Sequence, residues 1–330
     1  MNSLKILDVF IGNQCNLTCK QCDTRSDEIR TKKLDPDLEK TKLGILLASE
    51  NFKIDNYSLL GGEPLLYLDK TKNLLEHIRS IAPSTNIFLP SNGTLINKFQ
   101  SSVLDIIENY KITLSISNHF SAFADKTLSS QLSNNCMEIV KKLNLKQVPM
   151  FEISDLHFDL YNQSADPDWQ EFLNRSGKAT EDLGGNFAYT NNDRTIIILF
   201  KDQNEFKSHY YLQNGKPKPF ASGDPQMSYE NGCCSPFCSF LFETKLYKCG
   251  ALGTLEKFLQ LHKSKEDTAW KQYLQYNPLD LENCTAEQVT AFSGSKFQSV
   301  PQCDMCPSNN DFSVKKSYNN VIPIKNYTLP

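Results

Sequence analysis

Residues 4–22, LKILDVFIGNQCNLTCKQC, decide how this chain is read. Residues 4–11 form an apolar run that predicts a buried strand. The loop that follows carries Cys15, Cys19 and Cys22 in a C-x3-C-x2-C spacing. Three thiolates on one short loop after a strand can turn toward a single point. Thiolates are soft ligands that favour iron–sulfur clusters or zinc. A structural zinc site wants four protein ligands, and this loop offers three cysteines with no histidine nearby. A 4Fe–4S cube held by three cysteines leaves one iron without a protein ligand, open to a substrate or cofactor.

Composition agrees with a metal-binding globular protein. The chain has 330 residues, enough for two domains or for a barrel with an appendage. Hydrophobic residues make up 39% and charged residues 22%, which fits a soluble protein with a sizeable core. A net charge of -3 and a pI near 6.0 give no general attraction to nucleic acid or anionic membrane. The 11 cysteines are clustered, in 15–22, 233–249 and 303–306, with Cys136 and Cys284 standing alone as expected buried small hydrophobes. The amino terminus has no cleavage-site pattern, and no apolar run approaches the ~18 residues of a membrane span. The cysteines are therefore expected to be reduced, in cytoplasm, and mostly metal ligands.

Outward from the first loop, strand and helix patterns alternate. Helices are predicted at 37–50, 69–81, 101–109, 131–143 and 165–174. Strands are predicted at 56–60, 86–93, 111–117, 147–153 and 195–200. Such alternation argues a parallel sheet with crossover helices, an α/β fold. Residues 171–192 read as a long loop or connector, and the proline- and glycine-rich 213–227 as a linker. The expected domains are 1–212 and 213–330. Beyond the linker, 239–243 and 246–248 read as a hairpin around Thr244-Lys245, and 254–262 and 266–276 as helices.

A second motif, Gly61-Gly62-Glu63-Pro64, follows the strand at 56–60. With the C-x3-C-x2-C loop, it makes the chain resemble the radical S-adenosylmethionine (SAM) superfamily. Zinc on a small non-catalytic module is the alternative for the first loop, and it gives GGEP no purpose. The resemblance implies a partial (β/α)6 barrel, with its site at the carboxyl ends of the strands. It also implies a 4Fe–4S cluster on Cys15, Cys19 and Cys22 that binds SAM. One-electron reduction then yields a 5′-deoxyadenosyl radical that takes hydrogen from a substrate. Gly61, Gly62, Glu63 and Pro64 would receive the SAM amino group, Glu63 by a charge-assisted bond. Ser115 matches a position that often contacts the SAM ribose, and Asn92 would also face SAM, with turn or strand chemistry as the alternative for both. Gln21 stands where the family usually has an aromatic residue.

The carboxyl-terminal cysteines resemble a twitch or truncated SPASM extension, a small α+β cysteine-rich region carrying an auxiliary 4Fe–4S cluster. Thr244 stands where the family's pattern has a turn glycine. The resemblance assigns Cys249, Cys303 and Cys306 to that cluster and leaves the first ligand among Cys233, Cys234 and Cys238. A zinc ribbon is the alternative. Substrate-facing candidates are His119, Asp155 and His157, then Asp159, Tyr161 and Tyr189, each against a solvated loop residue as the plainer reading.

The function expected is radical SAM chemistry on a small polar substrate such as a sugar or nucleotide-sugar. A flavodoxin or ferredoxin would be the reductant. The alternatives are a peptide maturase and a non-catalytic iron–sulfur or zinc protein. A barrel starting at Leu4 leaves no room for an amino-terminal leader-binding module, which favours the small molecule.

Overall fold

The computed structural model describes residues 2–17, 19, 22, 24–26, 34–119, 126–148, 187–202, 209–221, 223–230, 233 and 235–306. The chain is mixed α/β and packs as two compact units, one of residues 1–55 with 205–330 and one of residues 56–204. The boundary at 212/213 expected from sequence differs from this division. Among the described residues no helix is long and apolar enough to cross a membrane.

The unit of residues 56–204 is built on parallel strands joined by crossover helices. Asn56–Leu60 pairs with Asn86–Ser91, which pairs with Thr113–Asn118, which pairs with Ile197–Asp202, all parallel. The helix Leu68–Ile81 buries Thr71, Leu74, Leu75 and Ile78, a stripe at helical spacing. Gln100–Tyr110 buries Val103, Ile106 and Ile107 and ends on Lys111, whose left-handed backbone closes the last turn. A third helix covers Lys126–Lys142. The sheet then changes direction. Phe187–Thr190 runs antiparallel to Ile197–Asp202, and Lys146–Val148 antiparallel to Phe187–Thr190. The expected strand at 147–153 is thus a short antiparallel element up to Val148, and its remainder lies outside the described residues. The predicted helix at 165–174 also lies outside them.

The unit of residues 1–55 and 205–330 joins the two ends of the chain. Ile6–Phe10 pairs in parallel with Cys238–Phe242, with Ile6 opposite Cys238 and Val9 opposite Leu241. Cys238–Phe242 forms an antiparallel hairpin with Lys245–Tyr247, which pairs antiparallel with Leu279–Asp280. Because Phe242 faces Lys245, the turn is Glu243-Thr244, one residue earlier than expected. Phe10 packs against Phe240 and Phe242, with ring centroids 5.5 and 5.7 Å apart.

Two helices close on this hairpin through glycines. Leu38–Asn51 is capped by Asp37, whose side chain accepts from the Lys40 N–H, and buries Thr41, Gly44, Ile45 and Ala48. Gly250–Leu261 lies so close to Phe240 that a Cβ on Gly253 would meet its ring at 2.2 Å.

Two expectations fail here for identifiable reasons. The stretch 213–227 is no linker. Tyr210–Gln213 and Lys216–Pro219 form an antiparallel hairpin, and Pro225–Glu230 is a short helix. Asn214 and Gly215 both have positive φ, 52° and 73°, the turn that Asn-Gly specifies between paired strands. The prolines Pro217 and Pro219 masked that signal; they are tolerated because the sheet has only two strands. The predicted helix at 266–276 is instead two 3-10 turns, Thr268–Trp270 and Tyr273–Gln275, shaped by burial of Trp270 and Tyr273.

Gly44→Ala tests the close approach at the hairpin turn. Alanine gains up to about 1 kcal/mol of helix propensity over glycine. Its Cβ would, however, fall 1.9 Å from the Glu243 carbonyl oxygen, which is backbone and cannot rotate away. Overpacking costs about 1–3 kcal/mol or more, so the clash wins. A lower denaturation midpoint for Gly44→Ala is expected, and a higher one would show that the helix and hairpin separate freely.

Candidate metal centres

The first cysteine loop leaves Phe10 through Ile11 and Gly12, whose φ of 145° suits glycine. Asn13 is fully buried, and its Oδ1 accepts from the Leu34 N–H at 2.6 Å, tying the two ends of the loop region together. Cys15, Cys19 and Cys22 are half-buried and form no disulfide. The Leu17 N–H donates to Cys15 Sγ at 3.4 Å, and the Thr24 hydroxyl lies 3.2 Å from Cys22 Sγ. Gln21 lies outside the described residues.

Three residues past Cys22, Arg25 is buried and donates to Thr254 Oγ1 at 2.5 Å and the Ala251 carbonyl at 3.0 Å. Its guanidinium carbon also lies 4.9 Å from the Phe258 ring centroid. All three partners sit on the helix whose amino-terminal cap is Cys249. One cation therefore anchors the first cysteine loop to the element that begins at the second cysteine group.

That second group shares a cavity. Cys233, Cys249, Cys303 and Cys306 line it, with Lys248 and Tyr229. The Ser235 N–H donates to Cys233 Sγ, and the Val300 N–H donates to Cys303 Sγ, each at 3.4 Å. Burial raises the Cys303 thiol, an effect opposed by the Val300 N–H and the Lys248 charge. Asp304 holds this region in place, accepting from Tyr273 Oη at 3.1 Å and from the Gly223 N–H. Of the candidates for the first ligand, Cys233 lines the cavity, Cys238 does not, and Cys234 lies outside the described residues. Cys136 is a buried thiol pushed up to about 12, and Cys284 donates to the Leu281 carbonyl.

Among the described residues no three His, Cys, Asp or Glu side chains already converge on one ion. The donor set nonetheless fits a thiolate-ligated group. It offers soft ligands with backbone N–H groups aimed at two sulfurs, and Cys249 sits at a helix amino terminus, which favours the thiolate.

The GGEP motif lies in the other unit, at the end of the Asn56–Leu60 strand. Glu63 is fully buried. Its Oε1 accepts from the Leu65 N–H at 3.1 Å and the Ser91 hydroxyl at 2.8 Å, and its Oε2 from the Asn92 N–H at 2.8 Å. This carboxyl is thereby a clamp between two strand ends, a use that sequence reasoning missed. Burial pushes its pKa up to about 7 against the lowering by those three donors. Asn92 Oδ1 accepts from the Thr94 N–H and hydroxyl, so its carbonyl serves the turn. Gly93 follows with φ of 70°, and a Cβ there would meet Leu132 and Ile116 within 2.7 Å. Ser115 is buried in the Thr113–Asn118 strand.

His119 is buried just beyond that strand, and desolvation pushes its pKa down to about 4. It is therefore neutral at ordinary pH. Tyr189 is buried in the Phe187–Thr190 strand. Asp155, His157, Asp159 and Tyr161 lie outside the described residues.

Glu63 carries a pH signature. Its folded pKa of about 7 stands above the ordinary 4.5, so the native state keeps a proton that the unfolded chain releases. Its contribution is fully present below about 4.5 and is lost as pH rises through about 7. The loss is on the order of 3 kcal/mol, from the shift between those values. Glu63→Gln should flatten this part of the stability profile, measured as urea midpoints across the window. An unchanged slope would assign it to other groups.

Comparison with known proteins agrees with the first loop. The family model described as a 4Fe-4S single cluster domain matches residues 7–139. A curated relative, a probable GTP 3',8-cyclase of Methanococcus aeolicus, is 29% identical over 146 residues, which is 42% of this chain and 44% of the relative. The match thus spans under half of that protein's length. Solved structures also match. Native anSMEcpe with bound AdoMet and Cp18Cys peptide does so at 22% identity and a TM-score of 0.31, over 42% of this chain and 40% of that one. Native anSMEcpe with bound AdoMet does so at 23% and 0.32, over 42% and 41%. TM-scores of this size do not establish a common fold. The matched region, residues 7–139, holds both the cysteine loop and GGEP, the two motifs by which the chain resembles radical SAM proteins.

Proposed function

We propose that this chain is a radical SAM enzyme acting on a small polar substrate of the sugar, nucleotide or nucleotide-sugar class. The observation that carries the reading is the pairing of C-x3-C-x2-C with GGEP inside a region matched as a 4Fe-4S single cluster domain. The nucleotide in the name of the Methanococcus aeolicus relative supports the small-molecule class over a peptide. Supplied with an electron, the cluster and SAM together provide a 5′-deoxyadenosyl radical that abstracts hydrogen from the substrate.

The chain's own residues hold and orient these groups. Cys15, Cys19 and Cys22 are the ligands of the first cluster. Gly61 and Gly62 offer backbone to the SAM amino group, and the clamp made by Glu63 keeps that turn rigid. Asn92 and Ser115 are the further SAM-facing candidates. A second 4Fe–4S cluster is proposed on Cys233, Cys249, Cys303 and Cys306, supported by their shared cavity. It would take an electron during a dehydrogenation or anchor the substrate.

The same reading extends to architecture and setting. The four parallel strands and their crossover helices support a partial (β/α)6 barrel, with residues 213–330 as its twitch-like extension. A cytoplasmic setting, with flavodoxin or ferredoxin as the electron source, follows from that chemistry.

Iron content separates these claims. Anaerobic reconstitution should load about eight irons per chain, two cubes' worth. Cys233→Ala should reduce this to about four, while Cys238→Ala should leave about eight. The reverse pattern would move the fourth ligand to Cys238. With dithionite and SAM the wild type should release 5′-deoxyadenosine, and Cys19→Ala should release none. No release from iron-loaded wild type would end the enzyme reading. A screen of sugar nucleotides and GTP against peptides for stimulated release then decides the substrate class.

A further inference from the structure

Lys248 lines the same cavity as the four cysteines and is 1% exposed. Its Nζ donates to three carbonyl oxygens, those of Ser295 at 2.6 Å, Lys296 at 3.0 Å and Gln298 at 2.6 Å. A neutral amine has two N–H donors and an ammonium has three, so three acceptors match the charged form. The Tyr229 ring centroid lies 4.9 Å from the same nitrogen, a cation–π contact that also favours the charge. Yet no ion pair to a carboxylate involves Lys248 among the described residues. A buried cation without a counter-charge is costly, and proteins place one only against an opposite charge or a dense set of dipoles. Three carbonyls supply the dipoles. The groups that line the cavity with this lysine are Cys233, Cys249, Cys303 and Cys306, whose sulfurs would be thiolates once they held a cluster.

We propose that Lys248 is the fixed positive charge against which the auxiliary cluster is built, and that it raises the cluster's reduction potential. This rests on the reading of Cys233, Cys249, Cys303 and Cys306 as a cluster site. A 4Fe–4S cube on four thiolates carries a double negative charge, which becomes triple when it accepts one electron. A cation fixed beside it stabilises the reduced form more than the oxidised form. The Ser235 and Val300 N–H groups, which already point at Cys233 and Cys303 sulfurs, act in the same direction. Lys296 is a second buried lysine in this region, and its carbonyl accepts both from Lys248 and from Tyr229 Oη at 3.2 Å. The backbone at 295–298 thus orients the ammonium.

The test uses the full chain with Cys15, Cys19 and Cys22 all replaced by alanine, so that only the second centre can load. After anaerobic reconstitution, iron and sulfide content and a dithionite titration followed by electron paramagnetic resonance are measured for Lys248, Lys248→Met and Lys248→Arg. The parent should hold about four irons. Lys248→Met should titrate at a more negative midpoint, and Lys248→Arg should stay near the parent. Loss of iron in Lys248→Met with retention in Lys248→Arg would support the same charge requirement. A cluster of unchanged midpoint in Lys248→Met, or loss of iron in both variants, would overturn the role given to the lysine. A parent that takes up zinc or no metal would overturn the cluster reading itself, which is a different result.

Discussion

The parallel pairing of Ile6–Phe10 with Cys238–Phe242 is the contact on which one half of this molecule depends. It closes a loop that includes most of the chain, and closure of that kind carries an entropy cost that only burial can offset. The offset is visible in Phe10, wedged against Phe240 and Phe242, and in Leu7, Val9 and Leu241, which are inaccessible to solvent. Gly44 and Gly253 let helices approach the paired strands to backbone or ring contact. Without this pairing, the strand that leads into the first cysteine loop and the hairpin beside the second cysteine group would not share a unit.

Each unit also buries ionisable groups, and each satisfies them by its own means. Glu63 lies among three donors that link the ends of two parallel strands, and burial makes its proton easy to keep. Arg25 is held by a hydroxyl, a carbonyl and an aromatic face along one helix. Lys248 is held by carbonyls and faces thiols. Buried charges are weak contributors to stability, because desolvation consumes most of what they gain. Their value here is positional. The cations stand beside the cysteine segments, and the carboxyl fixes the turn that follows the Asn56–Leu60 strand.

Much of this was legible in the residues. Strands of β-branched and aromatic residues alternating with helical stripes such as Leu74, Leu75 and Ile78 predict the order and type of the parallel strands and their helices in the 56–204 unit. Strand ends are displaced by up to two residues, and the helix Lys126–Lys142 starts earlier than expected. The Asn214-Gly215 turn was available as a hairpin signal and was obscured by the prolines around it. The apolar spacing at 266–276 imitates a helix, although Trp270 and Tyr273 bury their rings from separate 3-10 turns. The clamp at Glu63 could not be read from GGEP, because its donors come from Ser91 and Asn92, a strand away.

The sequence by itself determined which chemistry is proposed, because a cysteine spacing and a glycine-rich turn depend on residue type and short spacing, which are local properties. It determined the α/β class as well, because periodicity records which face of each element is buried. Only the tertiary structure decided which cysteines stand together and what stands beside them. Cys233, Cys249, Cys303 and Cys306 reach one cavity through a short helix, a hairpin and a 3-10 turn. Lys248 joins them because carbonyls far along the chain capture its ammonium. Long-range packing makes such neighbours, and no spacing along the chain encodes them.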